Sequence, residues 1–335
     1  MSDGAAGEEF VLLAIPDMNG SLRGKALRPA AFEAAAQHGT VMTDLILGLD
    51  PVDAPITDYE RFGIRTGAAD LLVTPDGDTM RDLAWRPGWR ICLATPSWPD
   101  GSPCELASRE VFRTVLGDVS SLGYDVMAAI EYEVRIWDEQ GAPLSSGISY
   151  SLNEVGRYDR FVDALVGALQ ALDVELSAVH TEAGPGLLEL NLAPGRGLAA
   201  ADGAVLAKFA TKQVAASMGL RASFLAKTVP GEEGSSGHVH LSCWDGDTNV
   251  FAGAAVDDPL PDPLGAPRPL AVRVPAPRSR REPLPGARRD RRLCGRRDAA
   301  EGEAARSDRG RRLCARRPPR APRIPRGGDR GVRGG

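Results

Sequence analysis

Apolar and polar positions follow two rhythms along the first three quarters of the chain, and each predicts a different element. Phe10 to Ile15 (FVLLAI) is an unbroken apolar run, the pattern of a strand buried on both faces, and Pro16-Asp17-Met18-Asn19-Gly20 closes it as a turn. Arg23 to Leu27 reads as the returning strand. Pro29 to His38 is an Ala-rich helix with Pro at its start and Gly39 after its end. Residues 51–66 carry loop composition, Leu71-Leu72-Val73 is a short strand, and the segment 85–95 contains another. Pro96 to Pro103 is rich in Pro, Ser and Gly and predicts a domain boundary.

Beyond it, helix and strand rhythms alternate. Ser108 is placed as the cap of a helix reaching about Leu122, with Val111, Phe112, Val115 and Val119 on one side. Met127–Trp137, Gly186–Leu192, Phe224–Thr228 and His238–Trp244 read as strands. Arg157 to about Leu172, with Phe161, Leu165 and Leu169 at helical spacing, and Ala200–Met218 read as helices. The fold class is therefore α+β, with an antiparallel or mixed sheet and helices. No internal repeat interrupts it.

The strands are informative because alternate residues face opposite sides of a sheet. Along Ala129–Ile136, Glu131, Glu133 and Arg135 share one face while Ile130, Tyr132, Val134 and Ile136 share the other. Along Leu187–Leu192, Glu189 and Asn191 oppose Leu188, Leu190 and Leu192, and along His238–Ser242, His238, His240 and Ser242 oppose Val239 and Leu241. A one-sided wet sheet explains any single strand. Three of the chain's four histidines (His180, His238, His240) fall in these blocks, however, and Glu182 stands just before the turn Gly184-Pro185-Gly186. Glu131, Glu133, Glu182 and Glu189 gathered on one surface repel unless cations neutralise them. Carboxylates with an imidazole suit Mg²⁺ or Mn²⁺ better than zinc, and such ions serve phosphoryl transfer.

Composition divides the chain. Residues 1–254 hold 18 Lys+Arg and 35 Asp+Glu, whereas residues 255–335 hold 22 Arg, no Lys and 10 Asp+Glu, so the overall net charge of −5 hides −17 followed by +12. All 18 aromatic residues lie at or before Phe251, and half of the 26 prolines follow Asp258. Such a tail buries too little apolar surface to offset its ordering entropy, which predicts disorder. The five cysteines are odd in number and scattered, which fits a reducing, cytoplasmic setting rather than a disulfide framework. The acidic N-terminus is unlike a signal peptide, and no apolar run approaches a membrane span, so no membrane partner is expected.

Five segments together resemble the glutamine synthetase superfamily over about residues 10–252. IPDMNGSLRGKAL resembles the start of that family's β-grasp domain, and ADLLVTPDGDTMRDLAWRPG its P-D-x-x-T-x-R stretch. AAIEYEVRIWD resembles its E-x-E strand, HTEAGPGLLELNLAP its H-H-E-x-x-P-G-Q-x-E block, and KTVPGEEGSSGHVHLSCWD its glycine-rich H-x-H block. The resemblance implies a β-grasp-like N-terminal domain (1–100), an incomplete catalytic domain (101–254) and a foreign tail (255–335). It implies that Glu133, Glu182 and Glu189 hold one divalent ion and Glu131 and His238 a second, with His240 and Ser242 towards ATP. It places Glu233 and Gly234 in the loop that touches the amino-acid substrate. The implied reaction is ATP-dependent ligation of ammonia or a small amine to the γ-carboxylate of glutamate, in a homo-oligomeric ring that a chain without the family's C-terminal helices need not form.

Three departures stand out: Thr181 replaces the second His, Leu187 the Gln, and Glu233 the Asn of the family pattern. They imply the γ-glutamylpolyamine synthetase type of branch, which joins glutamate to polyamines or other amines. Asp44 and Asp50 are both candidates for the ammonium-site Asp. Lys208 and Lys212 read as a solvated helix face. The Arg/Pro-rich tail reads as GC-rich sequence translated out of frame after a frameshift near codons 252–260, and predicts little or no ligase activity. Two other readings compete: a nonspecific nucleic-acid-binding arm over Arg281–Arg326, and a metal-dependent hydrolase of the amidohydrolase type, which normally needs histidines after the H-x-H, where this chain has none.

Overall fold

The computed structural model describes residues 9–251; the readings of the tail as disordered, out of frame or nucleic-acid-binding lie outside the described residues. The first sheet begins with β1 (Phe10–Pro16) and β2 (Leu22–Leu27), an antiparallel hairpin. Its close approach requires Gly24, where a Cβ would lie 1.8 Å from the Leu13 carbonyl oxygen. Helix α1 (Pro29–His38) starts with Pro in its first turn, as its sequence predicts. Then come β3 (Thr40–Thr43), β4 (Asp70–Pro75), β5 (Arg81–Asp82) and β6 (Trp89–Ser97). The strand order is β2-β1-β6-β4-β3, with β5 also on β6, and only the β1–β6 pairing is parallel. This is a β-grasp-like mixed sheet, with Leu13, Leu71, Val73 and Leu93 fully buried.

The second sheet follows α2 (Ser108–Ser121). Its elements are β7 (Asp125–Trp137), α3 (Leu152–Val155), α4 (Asp159–Ala171), β8 (Leu176–Thr181), β9 (Leu187–Leu192) and β10 (Gly195–Arg196). They continue with α5 (Leu198–Ser217), β11 (Arg221–Ser223), β12 (Gly237–Asp245) and β13 (Thr248–Asn249). The order is β13-β12-β7-β9-β8, with β10 and β11 on β7, and every pairing is antiparallel. Helices α4 and α5 cover one face: Phe161, Leu165, Leu169, Ala207 and Ala210 form a core with Val134, Ile136, Leu188 and Leu190. Burial of those faces is the main driving force for this half. Arg109 on α2, 4% exposed, ties the two sheets together by bonding Asp76 and Thr95 of the first and Asp202 of α5.

Several elements differ from the sequence reading. Ser108 is the first helical residue and Ala107 the capping position, which has no side-chain cap. The apolar side assigned to α2 is half-exposed at Val111 and Val115; the one residue this helix buries is Arg109. The strand expected at Phe224–Thr228 lies earlier, at Arg221–Ser223, because the Ser223 hydroxyl accepts from the Leu225 amide and turns the chain out of the sheet. Strands β3 and β8 have no counterpart in the sequence reading. Among the described residues no helix is long and apolar enough to cross a membrane, and Cys92, Cys104 and Cys243 are free thiols.

Candidate metal centre

Register places the ionisable side chains in two rows on the sheet face away from the helices. In one row His238 of β12 lies beside Glu131 of β7, and Glu131 beside Asn191 of β9. In the next, Glu133 of β7 lies beside Glu189 of β9, and Glu189 beside His180 of β8. Adjacent strands run about 4.8 Å apart, and direct contacts form within the rows between His238 and Glu131 and between Glu189 and His180. Two clefts of about 600 and 410 Å³ lie on the helix side, lined by residues such as Leu192 and Ala200 or Val239 and Val205.

Two three-residue groups bring their donor atoms within 4.8 Å of one another: Glu131, Glu189 and His238, and His180, Glu182 and Glu189. Glu189 belongs to both and is 7% exposed. The Glu131 Oε2 atom lies 3.1 Å from His238 Nδ1 and 3.1 Å from His240 Nε2. Partial burial alone raises the Glu131 carboxyl, but the imidazoles of His240 and His238 outweigh it and hold the group below the ordinary glutamate value. A mixed set of carboxylate oxygens and imidazole nitrogens, converging from β7, β8, β9 and β12 and from Glu182 after β8, has the donor chemistry of a Mg²⁺ or Mn²⁺ site.

The turn before β9 is held from beneath. Gly186 has φ +78°, and a Cβ there would lie 2.7 Å from the Ile136 carbonyl oxygen. Its amide donates to the buried Ser145 hydroxyl at 3.1 Å, which also accepts from Tyr158 Oη at 2.9 Å. Burial pushes the Tyr158 phenol up to about 12. Tyr150, in a positive-φ conformation, stacks on the His180 ring with centroids 4.3 Å apart, and its amide donates to the Thr181 carbonyl.

The other residues singled out by sequence have these places. Glu133 faces the site but accepts from the Ser236 amide at 3.0 Å and from the Ser236 hydroxyl. Glu233 is exposed, and its carbonyl accepts from the buried Arg135, which also pairs with Glu232. Gly234 packs so close that a Cβ would meet the Ala226 carbonyl oxygen at 2.2 Å. Ser242 accepts from Trp244 Nε1 at 2.9 Å. Asp50 is a turn residue whose carboxylate accepts from the Val52 and Ala54 amides, while Asp44 is 1% exposed and accepts from Thr66. Lys208 corrects the solvated-face reading: it is half-buried and donates to the Asn19 carbonyl at 2.9 Å. His180 had no assigned role in sequence; its signal was its position two residues before Glu182 in an otherwise weakly patterned segment.

A β-grasp-like sheet joined to an antiparallel sheet bearing acidic and imidazole side chains is the architecture of a glutamine-synthetase-like protein. One solved structure, described as a novel glutamine synthase homolog, superposes with a TM-score of 0.68 at 25% identity, covering 77% of this chain and 61% of that one. The chain belongs to the glutamine synthetase superfamily: residues 105–260 match the glutamine synthetase catalytic domain. Over 256 residues it is 30% identical to type-1 glutamine synthetase 2 of Dictyostelium discoideum, covering 72% of this chain and 49% of the relative. It is also 30% identical to a glutamate–isopropylamine ligase of a Pseudomonas species, covering 73% and 56% respectively. The chain thus spans about half the length of the curated relatives it matches.

Proposed function

We propose that the described part of this chain is the metal- and nucleotide-binding half of an ATP-dependent carbon–nitrogen ligase acting on the γ-carboxylate of glutamate. The observation that carries the reading is the convergence of Glu131, Glu182, Glu189, His180 and His238 on one sheet face in two groups that share Glu189. Divalent ions bound there would neutralise the charge that grows on a transferring phosphoryl group. Glu131 and His238 hold the nucleotide-side position, Glu182 and Glu189 the substrate-side position, with Glu133 beside it. His240 and Ser242 face the nucleotide, and Glu233 and Gly234 border the amino-acid substrate. Similarity to a glutamate–isopropylamine ligase and to a γ-glutamylethanolamide synthetase supports an amine rather than ammonia as acceptor. Free cysteines fit a reducing, cytoplasmic setting.

The reading includes an out-of-frame origin for residues 255–335 and a turnover far below that of the complete relatives. A frame downstream of codon 252 that encodes an N-x-Y-K-R-like segment followed by E-x-R supports the first part, and its absence from both other frames removes it. The function itself is tested by incubating the full chain with Mg²⁺ or Mn²⁺, ATP and glutamate, with and without ammonia, isopropylamine or ethanolamine. Slow ADP release that needs both glutamate and an amine supports the ligase. Metal-dependent amide hydrolysis without ATP overturns it, and turnover equal to that of a complete relative overturns the expectation of weak activity.

A further inference from the structure

We propose that Arg135 is the positioning residue of the loop that borders the amino-acid substrate, holding the Glu233 peptide where Glu233 and Gly234 can meet the ligand; this rests on the substrate reading of that loop given above. Arg135 lies on the polar face of β7, yet its side chain is 1% exposed. One arm of the guanidinium pairs with Glu232, and the other, Nη2, donates to the Glu233 carbonyl at 2.6 Å. One planar fork thus grips two consecutive residues, a geometry that a lysine cannot reproduce. The same Nη2 abuts the turn before β9: a Cβ at Gly184 would lie 3.3 Å from it and 3.3 Å from Glu233 Cβ. Further along the loop Ser236 is fastened to Glu133, so the Gly234–Ser235 span is held at both ends.

Stability does not explain an arginine here. Its Nε is buried without a hydrogen-bond partner among the described residues, and a buried guanidinium with an unfilled donor is costly. Over Leu187, its cross-strand neighbour, an apolar side chain of similar volume would fill the space without that cost. Glu232, whose side chain is 38% exposed, would then regain water. What an apolar residue cannot supply is the fixed direction of the Glu233 carbonyl, which turns inward to Arg135 while Glu233 as a whole is exposed. A loop ordered in advance spares the ligand the free energy of ordering it on binding.

The test compares the full wild-type chain with Arg135→Met and Arg135→Lys. In Arg135→Met, peptides covering residues 231–236 should lose protection from hydrogen exchange while the urea midpoint stays as in wild type. Glutamate affinity, measured by calorimetry with Mn²⁺ and ADP present, should fall about tenfold, the cost of ordering one or two loop groups. Mn²⁺ affinity should hold, because Ser145 supports the turn before β9 independently. Arg135→Lys, which restores the charge without the fork, should recover only part of the glutamate affinity. Glutamate affinity kept in Arg135→Met, or lost only in step with the urea midpoint or with Mn²⁺ affinity, overturns the positioning role. Full recovery in Arg135→Lys overturns the two-point grip. A wild type that binds no glutamate removes the substrate reading of the loop, and the proposal with it, whatever the exchange rates show.

Discussion

The two sides of the candidate site are built differently. On the β8–β9 side, five of the six β9 residues are buried, Leu188 and Leu190 are at most 1% exposed, and the Gly184–Gly186 turn rests on the buried Tyr158–Ser145 pair. On the β12 side every residue from Gly237 to Trp244 is half-buried. Among the described residues β12 pairs with β7 along Gly237–Trp244, but with β13 only through Trp244 and Asp245. Glu189 and the turn that carries Glu182 therefore sit on a packed platform, whereas His180 lies on β8, the opposite edge of the sheet, where Ser177 and Ala178 are exposed, and His238, His240 and Ser242 ride a strand whose outer edge is mostly unpaired by described residues. An enzyme can hold metal ligands rigidly only where the second layer is rigid. Strand β9 with the turn before it is thus the preorganised part of the site.

The largest test of this contrast is a pair of core truncations. Leu190→Ala should cost about 2–5 kcal/mol, the range for a fully buried leucine, and Val239→Ala on half-buried β12 only about 1 kcal/mol by loss of partial apolar burial, both read from urea denaturation of the full chain. Equal costs would erase the contrast. Gly186→Ala comes next: its positive φ and the Ile136 carbonyl at 2.7 Å from the added Cβ predict roughly 1–3 kcal/mol of strain. Because the turn carries Glu182 towards Glu189, Mn²⁺ affinity should fall as well; unchanged affinity would show that the turn does not position the ligands.

Tyr158→Phe is the mildest. Loss of the hydrogen bond to Ser145 should cost about 1 kcal/mol near neutral pH. The sign of its pH dependence follows from the raised phenol: an ordinary tyrosine titrates near pH 10, but burial lifts Tyr158 to about 12. Its contribution is complete below the unfolded value and is lost as pH climbs through this window. Wild type should therefore lose more stability than Tyr158→Phe on going from pH 9.5 towards 12, and parallel pH curves would contradict the burial of that hydroxyl.

The same contrast governs how much the sequence reveals. Along β7 and β9 a core face alternates with a polar face, so the period of two writes the positions of Glu131, Glu133 and Glu189 directly into the chain. In β8 a register shift between Leu176 and Ala178 interrupts that period, and His180 lost its strand context with it. The loop before β12 was illegible for another reason. Its anchors, Arg135 to Glu232 and Glu133 to Ser236, join residues 97 and 103 positions apart, and no local pattern encodes such pairs. The misplaced strand at Phe224–Thr228 has the same origin. Phe224 is apolar because it packs edge-on against the Tyr132 ring at 5.6 Å, not because it continues a strand.

Glu189 is the one side chain common to both groups of ligands. The most direct measurement is therefore the number and affinity of Mn²⁺ ions bound by the full chain and by Glu189→Gln, determined side by side by calorimetry. A shared centre predicts two ions in the wild type, with both weakened together by the single substitution. Two ions of which Glu189→Gln weakens only one, or neither, would contradict the shared centre, and no bound ion in the wild type would contradict the centre altogether.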